Sequence, residues 1–376
     1  MIHNPGFLFT VMAFALVIGP LIFVHEMGHY LAGRLFGTKI DAFSIGFGPE
    51  VAGWTDRRGT RWKLSAFPLG GYVKFAGDMN AASQPDPAWL ELPAEERAMT
   101  LPGKPVWQRA IIVAAGPVVN LLLAVAILAG FAFAYGENVT PSVVGAVQKG
   151  SAAATAGLQP GDRIIAIAGR KIETYVDIKN YVVLRPAEQV TIDFMRAGQT
   201  RHADVTIGAQ TLKDNFGNVS RIGLLGIVAS APVSRPVSLV AAPFAGLRAV
   251  RDILGGQIDA IGQIITGRRS VDELGGPLKI AQYSGQQFSL GTAAVIWFIA
   301  MISINLGFIN LLPIPMLDGG HLLFYAIEAV RRRPVEPSVQ EWAFRGGLAA
   351  ILALMLLVTF NDLGSFGLWK LTGLIG

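Results

Sequence analysis

The sequence predicts a polytopic α-helical membrane protein with four transmembrane helices, a small β element dipping toward the membrane, and an inserted α+β domain. Three observations carry this reading. Hydrophobic residues make up 52% of the 376-residue chain and charged residues only 15%, with a mean hydropathy of +0.47. That exceeds the ordinary globular apolar share and points to a membrane protein. Four apolar runs, 7–35, 107–135, 292–312 and 343–360, are long enough to be spanning segments. Between the second and third, residues 139–209 change to short β-branched runs, Gly turns and mixed charge. The net charge of +5 is spread over loops, with no long basic run. It reads as membrane topology and not as nucleic-acid binding. With no Cys, there are no disulfides and no thiolate ligands, so any metal site must be built from His and carboxylates.

The first run carries the stretch that organises the chain, His25-Glu26-Met27-Gly28-His29. On a helix, positions i and i+4 share a face, so two imidazoles can meet one metal ion. Glu26 can reach a water beside that metal without taking a coordination position. A single His in an apolar helix is more often a hydrogen-bonded core residue. Here the chain has only five His, and two of them bracket a Glu at ligand spacing. Ionisable residues at membrane depth are costly and read as a functional site. Pro20 frees backbone carbonyls and can bend the helix. No Lys or Arg precedes the run, and cleavage would discard the motif, so a removable signal peptide is not expected.

Residues 36–106 form a polar loop that, with its flanks, carries ten Lys/Arg, Arg34 to Arg109. The positive-inside rule places it in the cytoplasm. Within it, 43–49 and 64–75 read as strands with Gly turns, and 80–104 as a flexible excursion. The second run holds Ala115-Gly116-Pro117-Val118-Val119-Asn120. Its small residues permit close helix approach, and Asn120 should face the bundle interior and hydrogen-bond there, as structural glue ahead of a catalytic role.

In the inserted domain, 143–147 reads as a strand, 151–158 as a short helix ending at Gly157, and 160–167 as a turn into a strand. Residues 176–183 read as a helix and 190–194 as a further strand before the Arg196-Ala197-Gly198 turn. Residues 237–290 carry apolar residues at helical spacing, interrupted by Arg248, Arg251, Asp252 and Asp259. They read as amphipathic helices on the membrane surface or against the bundle. The third run enters Asn310-Leu311-Leu312-Pro313-Ile314-Pro315-Met316-Leu317-Asp318-Gly319-Gly320. Broken backbone at that depth is tolerated only inside protein or beside a polar cavity. Arg331-Arg332-Arg333 mark the cytoplasmic side after it. The domain boundaries expected are 1–136, 137–210, 211–290 and 291–376.

The stretch Ala156-Gly157-Leu158-Gln159-Pro160-Gly161-Asp162 and the strand after it resemble a bacterial PDZ domain, a fold that captures extended peptides by strand addition. Together, the two motifs at 25–29 and 310–320 resemble the site-2 protease family of intramembrane zinc metalloproteases, of the bacterial regulator of sigma-E type. The resemblance covers nearly the full length. It implies a Zn2+ ion, Asp318 as third metal ligand with His25 and His29, and Glu26 as the catalytic residue. It also implies that Asn310 helps hold substrate, and that 64–75, with Gly70, Gly71, Tyr72 and Val73, matches a membrane-reentrant sheet that clamps it. Many relatives carry two tandem PDZ domains, whereas this chain has room for one.

The function implied is cleavage of transmembrane segments of single-pass membrane proteins, such as pre-trimmed anti-sigma factors or remnant signal peptides, in regulated intramembrane proteolysis. The setting is the bacterial inner membrane, with the PDZ domain periplasmic and its groove open to peptide C-termini. Two other functions compete. A catalytically silent PDZ membrane scaffold is disfavoured by the intact Glu26 and Asp318. A metal transporter is disfavoured because the two halves show no inverted repeat.

Overall fold

The structure, a computed structural model, describes residues 6–78, 89, 91–213, 219–266 and 276–365. It divides into two compact units. One comprises Met1–Leu128, Gly246–Gly255 and Val271–Gly376, and the other Ala129–Ala245 and Gly256–Ser270.

The first unit begins with helix α1, Phe7–Leu35, which carries Pro20 inside it. It is apolar nearly all round, and Phe7, Leu8, Leu16 and Leu31 are exposed. A helix with that pattern requires an apolar surround. Strands β1, Ile40–Thr55, and β2, Arg61–Phe75, follow, longer than the sequence predicts. They pair antiparallel with an irregular register. Residues 42–45 of β1 lie between two stretches of β2, pairing with 61–64 and also with 71–74. The second of these stretches is therefore an edge, with β1 as its paired neighbour among the described residues. Residues 80–88 and 90 of the expected excursion over 80–104 lie outside the described residues, and the described part carries a single turn, α2, Ala94–Arg97. Helix α3, Val106–Tyr135, contains Pro117. Tyr30 of α1, Phe43, Val73 and Phe75 of the sheet, and Ile112 of α3 share one buried cluster. Full burial of side chains this size contributes about 1.5–3 kcal/mol each, which fixes the sheet against both helices.

The second unit contains β3 (Glu137–Val139), β4 (Val144–Val147), α4 (Ala152–Thr155), β5 (Arg163–Ile167), β6 (Arg170–Lys171) and α5 (Tyr175–Val183). It continues through β7 (Gln189–Arg196), β8 (Gln199–Thr206), β9 (Gly208–Lys213), β10 (Val219–Leu224), β11 (Ile227–Ala229) and β12 (Val233–Arg235). Strands β6-β5-β7-β8 form one sheet. Ser151 caps α4 and Gly157 follows it at φ +73°, the left-handed position that suits glycine. Thr174 and Asp177 form a capping box on α5. The expected boundary at residue 210 falls inside β9, and the stretch after it is not purely helical. Strand β11 returns to pair with β4 and β12 with β3. Leu225 and Ile227 lie in the same core as Ile164, Ile192 and Phe194. Three-residue strands are too short to show an alternating pattern, so the sequence did not reveal them.

The remaining helices are α6 (Ala242–Ile265), α7 (Pro277–Leu290), α8 (Thr292–Leu311), α9 (Asp318–Arg331) and α10 (Pro337–Ser365). Within the first unit, Val250 of α6 is buried with Ala124 and Leu128 of α3 and with Ala300 and Ile304 of α8. Ile280 and Phe288 of α7 pack on Val17 and Leu21 of α1. These faces lie against the bundle. Helix α9, absent from the sequence reading, follows the Pro-rich break directly. Among the described residues, four helices are long and apolar enough to cross a membrane: Phe7–Leu35, Val106–Tyr135, Thr292–Leu311 and Ser338–Phe360.

Candidate metal centre

Helical periodicity places His25 and His29 on one face of α1. Their rings stand nearly perpendicular, at 83°, with centroids 4.9 Å apart, and their Nε2 atoms are separated by 3.3 Å. Both residues are buried, as is Glu26 between them.

Asp318 arrives from the other end of the chain as the first residue of α9. The break before it is tight. The Ile314 N–H donates to the Leu312 carbonyl at 2.7 Å, the Leu317 N–H to the Ile314 carbonyl at 3.1 Å, and Met316 sits at φ +83°. The turn then folds back onto two glycines. A Cβ on Gly319 would lie 2.2 Å from the Leu312 carbonyl oxygen, and one on Gly320 2.4 Å from that of Ile314. Only glycine permits this approach, and the approach sets where Asp318 points.

Asp318 Oδ2 lies 3.2 Å from His25 Nε2 and 3.5 Å from His29 Nε2. That oxygen is buried and, among the described residues, accepts no geometrically satisfactory hydrogen bond. Metal–nitrogen and metal–oxygen bonds of about 2.0–2.2 Å at tetrahedral angles separate neighbouring ligand atoms by about 3.3–3.5 Å. The three spacings observed match that edge, so the residues present fit a tetrahedral metal with one position left over. Among the described residues, His25, His29 and Asp318 are the group of His and carboxylate side chains placed to hold an ion.

Helix α3 supports the pair. His29 Nδ1 donates to the Ile112 carbonyl at 2.9 Å, which leaves the lone pair on Nε2 facing Asp318. His25 Nδ1 lies 3.1 Å from Asn120 Nδ2. Gly116 packs beneath the His29 ring, where a Cβ would come within 2.2 Å of Nε2. Gly28 meets the Ala115 carbonyl in the same way, at 2.5 Å from a built Cβ. Small residues at 115–117 predict close helix approach, but nothing local in them points to the imidazoles. The signal was the spacing Ile112, Gly116, Asn120, which puts all three on one helix face.

The sequence matches peptidase family M50 over residues 13–354. The chain belongs to family M50, the site-2 protease family. Among M50 relatives, a protein of Agrobacterium fabrum named as a zinc metalloprotease is 47% identical, covering 94% of this chain and 96% of its own. A similarly named protein of Rhizobium meliloti is 46% identical, covering 94% and 96%. The metalloprotease MmpA of Caulobacter vibrioides is 38% identical over 98% of both chains. Part of this chain is also similar to a solved PDZ domain of an SdrC-like protein from Listeria monocytogenes, at 22% identity and a TM-score of 0.19, covering 24% of this chain and 87% of that one.

The other residues expected in an M50 site fall at different places. Gly71 stands directly beside Glu26: a Cβ there would lie 3.0 Å from Glu26 Cγ and 2.7 Å from the Ser44 carbonyl oxygen. Gly70 takes φ +126° with Phe47 at its open side. Tyr72 stacks on Phe47 with centroids 6.0 Å apart. The Val73 side chain is buried in the core, so only its backbone is available to a substrate. Asn310 donates its amide N–H to the Leu306 carbonyl of its own helix at 3.0 Å.

Proposed function

We propose that this M50 peptidase is an intramembrane zinc endopeptidase. In this reading it cleaves transmembrane segments of single-pass membrane proteins, with pre-trimmed anti-sigma factors and remnant signal peptides as substrate classes. The observation that carries the reading is the meeting of His25 Nε2, His29 Nε2 and Asp318 Oδ2 at one buried point beside Glu26. His25, His29 and Asp318 would hold the zinc. Zinc bound there would supply a Lewis acid to polarise the scissile carbonyl and to make a water more acidic. Glu26 accepts the proton of the attacking water and delivers it to the departing amine nitrogen.

A helical substrate hides its amides in i→i−4 hydrogen bonds and must unwind before attack. The edge at 71–74 offers backbone N–H and C=O groups to the unwound segment, the strand-addition mode of peptide capture. Gly71 lets that segment lie against Glu26 with no side chain between them. Asn310 joins the substrate site by the family resemblance. The unit over Ala129–Ala245 serves as a periplasmic PDZ domain receiving peptide C-termini. The ten Lys/Arg between Arg34 and Arg109, and the Arg331-Arg332-Arg333 triplet, support an inner-membrane setting with the active site toward the cytoplasm.

The test is co-expression with tagged single-pass candidates, comparing the wild type with Glu26→Gln. The reading expects a cytoplasmic fragment from the wild type, and uncut substrate retained with the variant. Equal cleavage by both would overturn it.

A further inference from the structure

The bond between His25 and Asn120 is unusual for a residue whose role is helix–helix adhesion. Asn120 is fully buried, and its side-chain contact is with a ring nitrogen of one of the site's two histidines. The adhesive bond at this position is made by its backbone instead: Ser303 Oγ donates to the Asn120 carbonyl at 2.8 Å, joining α8 to α3. Asn120 Oδ1, meanwhile, is buried with no hydrogen-bond partner among the described residues.

For His25 Nε2 to present a lone pair beside Asp318 Oδ2, the ring proton must sit on Nδ1. A protonated Nδ1 needs an acceptor, and Asn120 Nδ2 is a donor. Half a turn of the carboxamide about Cβ–Cγ brings Oδ1 to the ring. That exchange leaves the number of hydrogen bonds at the contact unchanged and supplies the acceptor. His29 already has its counterpart in the Ile112 carbonyl, one turn away from Gly116 and two from Asn120 on the same face of α3. Ligand histidines are characteristically held this way, the second ring nitrogen donating to a fixed oxygen.

We propose that Asn120 is a positioning residue for the metal site: its side-chain oxygen accepts the His25 Nδ1 proton and selects the tautomer and ring orientation that turn Nε2 toward the ion. With Ile112 it makes α3 the common support of both imidazoles. The proposal rests on the reading that His25 and His29 hold zinc.

The test measures zinc and cobalt(II) affinity of the full-length chain in detergent micelles, by competition with a chromogenic chelator, for wild type, Asn120→Leu, Asn120→Val, Asn120→Asp and Ser303→Ala. Melting of each metal-free protein is followed in parallel. Loss of the acceptor is expected to weaken binding about 10–100-fold in the leucine and valine variants. Asn120→Asp, which keeps an acceptor, is expected to bind at least as tightly as wild type, and Ser303→Ala to bind normally. The cobalt spectrum of any loaded apolar variant should shift as the His25 ring reorients. Leucine and valine variants that bind metal with wild-type affinity would overturn the proposal. So would losses shared equally by Asn120→Asp and proportional to lowered melting, because they would mark a packing role. A wild-type chain that binds no metal would instead overturn the zinc reading itself.

Discussion

His25 Nε2 stands 3.2 Å from Asp318 Oδ2, linking the middle of the first apolar helix to the first residue of a helix near the other end of the chain. Neither residue has its own means of reaching the other. α3 fixes the imidazole side, through Ile112, Gly116 and Asn120. The Pro-rich break folded over Gly319 and Gly320 fixes the carboxylate side.

Gly116→Ala tests the first support. The added methyl would meet His29 Nε2 at 2.2 Å, so the ring must move or α3 must back away. Displacement of a ligand by about 1 Å can cost on the order of 100-fold in rate. We expect cleavage to fall by about that much, with zinc binding weakened as well, while the four helices remain inserted. Cleavage assays and chelator competition on the same preparation check it.

Gly319→Ala tests the second support. Its Cβ would press on the Leu312 carbonyl oxygen at 2.2 Å and on that of Leu311 at 2.4 Å, backbone atoms that cannot swing aside. The first turn of α9 should shift and carry Asp318 with it. The expected result is loss of cleavage and of tight zinc binding, with both histidines unaltered. Normal zinc affinity in this variant would show that the turn does not set the carboxylate.

Proline scanning of β2 tests the open edge. Along a strand, successive N–H groups face alternate sides. Of Tyr72→Pro and Val73→Pro, one therefore removes a bond to β1 and the other removes an N–H offered outward. The outward substitution should reduce cleavage and spare both zinc binding and protein stability. Cleavage unchanged in both variants would exclude substrate pairing at this strand.

The second unit has its own ion pair, between the buried Asp162 and the partly exposed Arg196. Arg196 donates to both carboxylate oxygens of Asp162 at 2.7 Å and to the Gly157 carbonyl at 2.8 Å, while the Gln159 N–H donates to Asp162 Oδ2 at 2.7 Å. Burial alone would raise the Asp162 pKa, but these hydrogen bonds and the Arg196 charge outweigh it and hold the carboxyl below its ordinary 3.8. The stability this provides is therefore present above about pH 4 and is lost as pH falls through the depressed folded value. Arg196→Met leaves the Asp162 carboxylate without its guanidinium partner, with the Gln159 N–H still donating to it, and is expected to destabilise the second unit. Hydrogen exchange on the full chain should show faster opening of β5 and β7 in the variant at neutral pH, and the wild-type protection of these strands should persist to pH 4.

Much of this was legible in the residues. The apolar runs gave the four helices because length and hydropathy suffice for a spanning segment. His25, Glu26 and His29 were legible because helical spacing alone puts two rings on one face. Asp318 needed the family pattern, since no local rule joins residues so far apart. The Gly116 contact was hidden for a related reason: a glycine in an apolar helix looks the same whether it faces lipid or an imidazole. The return of β11 and β12 was missed because three-residue strands carry no period, and their pairing with β4 and β3 is settled by tertiary contact.

Zinc content of the purified full-length chain, wild type beside Asp318→Ala and His25→Ala after dialysis against a mild chelator, bears most directly on the claim that two distant stretches share one ion. About one zinc per chain should be retained by the wild type and lost from both variants. A wild-type chain without zinc, or an Asp318→Ala chain that keeps its full complement, would contradict it.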